Sequence, residues 1–255
     1  MIAKVYMDDV REHYQNFLSK YYSWMFGLPY SEKVAREKAI LMEVLGSETE
    51  KPLGLAVDLG CGPGFQSLAL AQIGFSPVLA IDTCRTLLNE MQAHQGDLPI
   101  QQICGDLKEL SSSVSPETAQ VVVCMGDTIT HLDSKDSVEQ VVHSVAQALA
   151  PGGVFIISYR DLSSELGGLD RFIPVYSDAR RTLTCFLDFD TQDSVLVSDL
   201  VYSRLTEGWQ FSKSSYRKLR LPKDWLVSAL NAAGLRAECG QAFHLLRVVA
   251  RKPKR

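Results

Sequence analysis

The chain has 255 residues, of which 46% are hydrophobic and 22% charged, and its formal net charge is -4. That length corresponds to about 1.7 typical domains and is enough to bury a core without a metal or a disulfide. The composition excludes a disordered, collagen-like or disulfide-dense chain, and without a basic excess nothing points to nucleic acid as the main partner. Six cysteines, Cys61, Cys84, Cys104, Cys124, Cys185 and Cys239, form no CxxC pair and no zinc-spaced Cys/His cluster. They read as reduced thiols, mostly buried, in a cytoplasmic protein. The opening MIAKVYMDDVREHY is too acidic and polar for a signal peptide. No apolar run approaches the roughly 18 residues of a membrane span.

In chain order, residues 1–52 read as a helical lid. It holds an aromatic cluster (Tyr14, Phe17, Tyr21, Tyr22, Trp24, Phe26, Tyr30) and then a helix capped by Ser31, carrying Val34, Leu41 and Leu45, and closed by Gly46. A polar linker spans 47–52. Residues 53–160 alternate short apolar runs with helical periodicities. Runs at 55–57, 78–81, 100–103, 121–124 and 154–157 read as strands. Helices are expected over 67–73, around Leu87, Leu88 and Met91, and over the stretch holding Val138, Val141, Val142, Val145 and Leu149, with Asp133 or Ser134 as its cap. Pro151-Gly152-Gly153 should stop that last helix. This alternation predicts a parallel sheet covered by helices on both faces.

Residues 161–221 break the pattern. Alternation over 183–189, 195–202 and around Trp209 and Phe211, with turns at 190–193 and 207–208, predicts an antiparallel meander of about three strands. Over 222–255, Pro222 suits a helix start and Gly234 a helix end. Two strands, 236–242 and 245–250, then return to the main sheet.

The chemistry concentrates at residues 56–65, AVDLGCGPGF, where a buried strand ends in Gly60, Gly62 and Gly64 before a helix. Glycine permits positive φ and lets a ligand approach the backbone. Ligands of open α/β sheets sit at this carboxyl end of the strands. The spacing is G-x-G-x-G, with Phe65 where a dinucleotide fingerprint needs glycine, and no G-K-[ST] follows. Both observations argue against a pyrophosphate cradle. Asp82, at the end of the next strand, can accept hydrogen bonds from two vicinal ribose hydroxyls. Asp106, after Gly105, can accept from an exocyclic amino group. Asp58 can support the loop or lie near a cationic ligand.

This set resembles the class I S-adenosylmethionine-dependent methyltransferases, of the small-molecule type. The matching residues are VDLGCGPG at 57–64, Asp82, the Gly105-Asp106 pair, VVVCMGDTITHL at 121–132 and LAPGGVFIIS at 149–158. The resemblance implies a Rossmann-like α/β fold with a doubly wound seven-stranded sheet of order 3-2-1-4-5-7-6, its last strand antiparallel. Carried over, it implies that Gly60, Gly62 and Gly64 underlie the methionine part of S-adenosyl-L-methionine, with Asp58 and Cys61 also among the cofactor-binding residues. Asp82 and Thr83 would hold the ribose, and Gly105, Asp106 and Leu107 the adenine. Met125 and Gly126 would flank the cofactor. Such enzymes often carry Gly-Asn where Gly126-Asp127 stands here, so the role of Asp127 is not transferred directly.

Lids in related methyltransferases fold over the cofactor, which makes Tyr14, Tyr22 and Trp24 candidates for it. Asp127 and His131 follow the fourth strand and are the candidate catalytic groups, placed to take or orient a proton of an amine or phenol acceptor. The expected reaction is methyl transfer to nitrogen or oxygen of a small molecule, releasing S-adenosyl-L-homocysteine. Arg171, Arg180 and Arg181 in the insert are candidates for pairing with an acidic acceptor. The insert can equally be a surface where two copies of the chain meet. The alternatives are an RNA or protein methyltransferase, disfavoured by the acidic balance and by the lack of an Asn-Pro-Pro-Tyr-like motif, or a non-catalytic cofactor-binding regulator.

Overall fold

The structure, a computed structural model, describes residues 6–46, 53–242 and 245–254. The linker expected over 47–52 lies outside them. The described chain opens with helix α1 (Tyr6–Asn16), then two single 3-10 turns, then α2 (Tyr30–Leu45). Helix α2 begins one residue before the expected cap. Ser31 makes no capping bond, and the carbonyl of Pro29 accepts the Lys33 amide instead. Gly46, at φ +83, ends the helix as expected. Val34 and Leu41, on one face of α2, are buried against the core, each burial worth about 1.5–3 kcal/mol.

The central unit then alternates as the periodicity predicts: β1 (Leu55–Leu59), α3 (Phe65–Ile73), β2 (Val78–Asp82), α4 (Arg85–Gln95), β3 (Ile100–Cys104), the short α5 (Leu110–Ser113), β4 (Ala119–Cys124), α6 (Lys135–Ala148) and β5 (Leu149–Tyr159). Ser134, not Asp133, caps α6, its hydroxyl accepting the Ser137 amide. The Pro151-Gly152-Gly153 stretch is already part of a strand that starts at Leu149, pairing with β4 through a register shift near Ala119. Next come β6 (Phe172–Ser177), β7 (Arg181–Asp188), β8 (Ser194–Leu205) and β9 (Gly208–Leu219), followed by α7 (Lys223–Ala232), β10 (Arg236–Ala242) and β11 (Leu245–Arg251).

The main sheet has the order β10-β11-β5-β4-β1-β2-β3. Counting strands outside the insert, this is 3-2-1-4-5-7-6, with β11 antiparallel to β5. Successive residues of β1 feed opposite faces. Val57 and Leu59 join a core under α6 and α7, whereas Ala56 joins a second core under α2 and α3. The second sheet is β6-β7-β8-β9, antiparallel throughout. It has four strands rather than three. The extra one, β6, contains Pro174 and a register shift before Tyr176, which hide its alternation. Within β8, Val195, Val197 and Val201 point inward with Asp199, a buried carboxylate in an otherwise apolar row. All six cysteines are free. Cys61, Cys84 and Cys124 are buried, while Cys104 and Cys239 are exposed, which departs from the expectation for those two. No described helix is long and apolar enough to cross a membrane.

Candidate active site

A cleft enclosing about 830 Å³, part of it open solvent, lies at the carboxyl ends of β1, β2 and β3. Gly60, Gly62 and Gly64 all have positive φ, at +69, +53 and +87. Their roles differ. A Cβ on Gly60 would collide with the Thr128 side chain, and one on Gly64 with Met91. A Cβ on Gly62 would meet nothing closer than the Tyr22 ring, 3.7 Å away. Gly60 and Gly62 line the cleft; Gly64 starts α3 behind it. Cys61 is also behind the wall, its thiol raised in pKa by burial. Asp58 lies under the loop, accepting a 2.6 Å bond from the Ser67 hydroxyl. Burial pushes its carboxyl up to about 7, against the opposing pull of that bond.

Asp82 accepts the Gly62 amide at 2.8 Å and the Cys84 amide at 2.7 Å, one on each oxygen. Burial raises its pKa although both bonds favour the charged form. A carboxylate has about four lone-pair sites, so a hydroxyl in the cleft can still be received beside these amides. Thr83, Gly105, Asp106 and Leu107 line the same wall. One oxygen of Asp106 caps the turn at Leu107 through the Lys108 amide, and the other pairs with Arg11 at 2.8 Å.

Helix α1 lies across the cleft, contributing Val10, Arg11 and Tyr14, and Tyr22 follows from the next turn. Trp24 is not among the lining residues. Its indole donates to Asp178 at 2.7 Å and its ring packs on Tyr176, so it faces the inserted sheet. Arg181 stacks over Trp24 and Tyr21, and Arg171 pairs with Asp188. With Arg180, these arginines lie outside the cleft lining.

At the far end, His131 lines the cleft. Its Nε2 is buried and has no partner among the described residues. Its ring meets Tyr14 edge-on at 5.4 Å and Tyr216 at 5.5 Å. Burial, aided by the Lys218 charge and opposed by Asp127, lowers its pKa to about 3, so the imidazole is neutral at physiological pH. Asp127 sits at φ +79 behind the lining. The Arg160 amide donates to one oxygen at 2.6 Å, and Lys218 pairs with the other at 2.9 Å. Burial alone would raise its pKa, but Lys218 and the amide outweigh it and the net shift is downward. Met125 is buried beneath this turn, and the Gly126 amide donates to Ser158. A Cβ on Gly126 would lie 3.9 Å from the Tyr22 hydroxyl. Arg11, Lys108, Thr128 and Tyr216 escaped the sequence reading. Generic residue types outside the glycine motif carry no local signal.

The sequence profile described as "Methyltransferase domain" matches residues 56–153. Carboxy-S-adenosyl-L-methionine synthase of Pseudoalteromonas atlantica is 29% identical over 131 residues, covering 49% of this chain and 51% of that protein. The chain thus spans about half the length of the curated relatives it matches. Among solved structures, S-adenosylmethionine-bound CalS10, an amino pentose methyltransferase from Micromonospora echinaspora, aligns with TM-score 0.71 at 15% identity over 92% of this chain and 96% of that one. The sugar N-methyltransferase KedS8 from Streptoalloteichus sp. aligns with TM-score 0.67 at 16% identity over 89% and 90%. These likenesses establish a shared fold. The site agrees with the cofactor of that group: Asp82 faces the cleft with lone pairs to spare, and the space a Cβ would fill at Gly62 is left open. The motif, the matched profile and the strand order agree: residues 56–153 match a methyltransferase domain, and the chain shares the fold of S-adenosylmethionine-dependent methyltransferases.

Proposed function

We propose that the protein transfers the methyl group of S-adenosylmethionine to a nucleophilic nitrogen or oxygen of a small molecule, with amines as the first class to test. The observation that carries this reading is His131, a neutral imidazole with an unpartnered Nε2 at the end of the cofactor cleft. S-adenosylmethionine, when bound, would supply an electrophilic methyl on a sulfonium that suits in-line displacement. In this reading Asp82 and Thr83 hold the ribose, Gly105, Asp106 and Leu107 meet the adenine, and the open backbone at Gly62, with Gly60 beside it, runs along the methionine chain. Tyr14 and Tyr22 close the site from above and exclude water. Positioning supplies much of the acceleration, up to about 7–11 kcal/mol in favourable cases.

His131 accepts a hydrogen bond from the acceptor N–H or O–H and orients its lone pair. With a pKa of about 3, it does not retain the proton, which leaves on the methylated product and is lost to solvent once the site opens. Asp127, already bonded through both oxygens, supports this turn. The amine reading gains support from two structural neighbours, an amino pentose methyltransferase and a sugar N-methyltransferase. A second reading comes from the carboxy-S-adenosyl-L-methionine synthase relative, in which the cofactor itself is the molecule modified.

The test is incubation with S-adenosylmethionine labelled in the methyl group and a metabolite extract containing amino sugars, followed by mass spectrometry. Label in a small-molecule product, with S-adenosylhomocysteine released, supports methyl transfer. A carboxylated S-adenosylmethionine without S-adenosylhomocysteine would establish the second reading. Label in RNA or protein alone would overturn the small-molecule assignment.

A further inference from the structure

Lys218 belongs to the inserted sheet, not to the cofactor-binding unit, yet its ammonium lies 2.9 Å from Asp127 on the turn after β4. Both side chains are largely shielded from water, at 13% and 15% exposure. Among the described residues no other side chain forms an ion pair with the Asp127 carboxylate, and its second contact is a backbone amide. The same ammonium lies 5.7 Å from the centre of the Tyr216 ring, which touches His131, Tyr14 and His13. Strand β9 therefore brings a cation, and an aromatic ring two residues before it, to the end of the cleft. We infer that Lys218 is a positioning residue: it ties the turn bearing Asp127 and His131 to the insert and offsets the Asp127 charge at the acceptor end of the site.

The chemical consequence follows from the lone pair that transfer requires. An unpaired carboxylate just behind the cleft wall would stabilise an ammonium, whose nitrogen has no lone pair to give. Lys218 removes that field, so the site suits the free amine or a hydroxyl. The inference rests on the methyl-transfer reading for its meaning, but its physical content is the charge around His131. The groups that face that imidazole are Tyr14 and His13 from α1, Asp127 from its own turn, and Tyr216 and Lys218 from β9. Asp199 of β8 stands behind His13 at 3.0 Å. Burial is the largest cause of the neutral imidazole; of these groups Lys218 and then His13 add to it, and Asp127 opposes it.

The experiment follows the His131 imidazole by NMR through a pH titration, with S-adenosylhomocysteine bound, in wild type, Lys218→Met and the Lys218→Met/Asp127→Asn pair. Wild-type His131 should stay neutral down to pH 5. In Lys218→Met its titration should move up by at least about one pH unit, the size expected for removing one close charge and exposing another. In the double variant it should return toward wild type, and S-adenosylhomocysteine affinity should stay within twofold throughout. Lys218→Gln carries the same expectation should the methionine variant fail to fold. An unchanged titration in the single variants, or a double variant that behaves like them, overturns the inference. Failure of wild type to bind S-adenosylhomocysteine would instead overturn the cofactor reading.

Discussion

Gly64 shows how one residue type in a motif serves two purposes. The glycine spacing was visible in the sequence and pointed to a ligand, but only Gly62 keeps its side-chain space open to the cleft. Gly64 is demanded by Met91 of α4 and by its φ of +87. Gly64→Ala should therefore lower stability by about 1–3 kcal/mol, read as a drop in urea midpoint; an unchanged midpoint would contradict the packing role. Asp82 was also legible, because strand end and spacing placed it. Lys218 was not, since it lies 91 residues after its partner and no periodicity links an exposed-looking lysine in one sheet to a turn in another. Asp127 signalled only through its departure from the asparagine common at that place, and the structure supplies a counter-charge for it.

The elements of the central unit follow from their periodicity, and their order was readable because buried strands and amphipathic helices alternate with capped ends. The lid and insert were readable as helices and an antiparallel meander, but the way their side chains face was not. Trp24 illustrates why: an aromatic stripe gives no indication of which side each ring will face, and α1 and the following turns divide theirs between cleft and insert. Two kinds of contact hold α1. Arg11 pairs with Asp106 at 48% and 17% exposure, whereas His13 is buried, bonded to Ser214 at 2.9 Å and Asp199 at 3.0 Å, and stacked on Tyr216 at 4.3 Å. Arg11→Ala should cost at most about 1 kcal/mol. His13→Ala leaves Asp199 buried without its partner and should cost about 1–3 kcal/mol or more. Chemical denaturation of the two variants checks the order, and a larger loss for Arg11→Ala would contradict this account of the lid.

At the scale of the whole molecule, two buried groups pull the pH dependence of stability in opposite directions. His131 drops from an ordinary 6.5 to about 3. Its contribution is full above pH 6.5 and is lost as the pH falls toward 3. Asp58 rises from 3.8 to about 7. Its contribution is full below pH 3.8 and is lost as the pH rises through 7. Asp58→Asn removes the second effect, so the variant should gain on wild type as the pH climbs from 4 to 8, measured by urea midpoints. A difference that stays constant across that range would contradict the assignment.

The single most direct test of the central claim is calorimetric titration of S-adenosylmethionine into the folded protein and into Asp82→Ala. The account predicts one site with a dissociation constant in the range of roughly 1 µM–1 mM. It predicts a loss of about 10–100-fold in the variant, the size of one or two charge-assisted hydrogen bonds. No binding by folded wild type, or equal binding by Asp82→Ala, would contradict it.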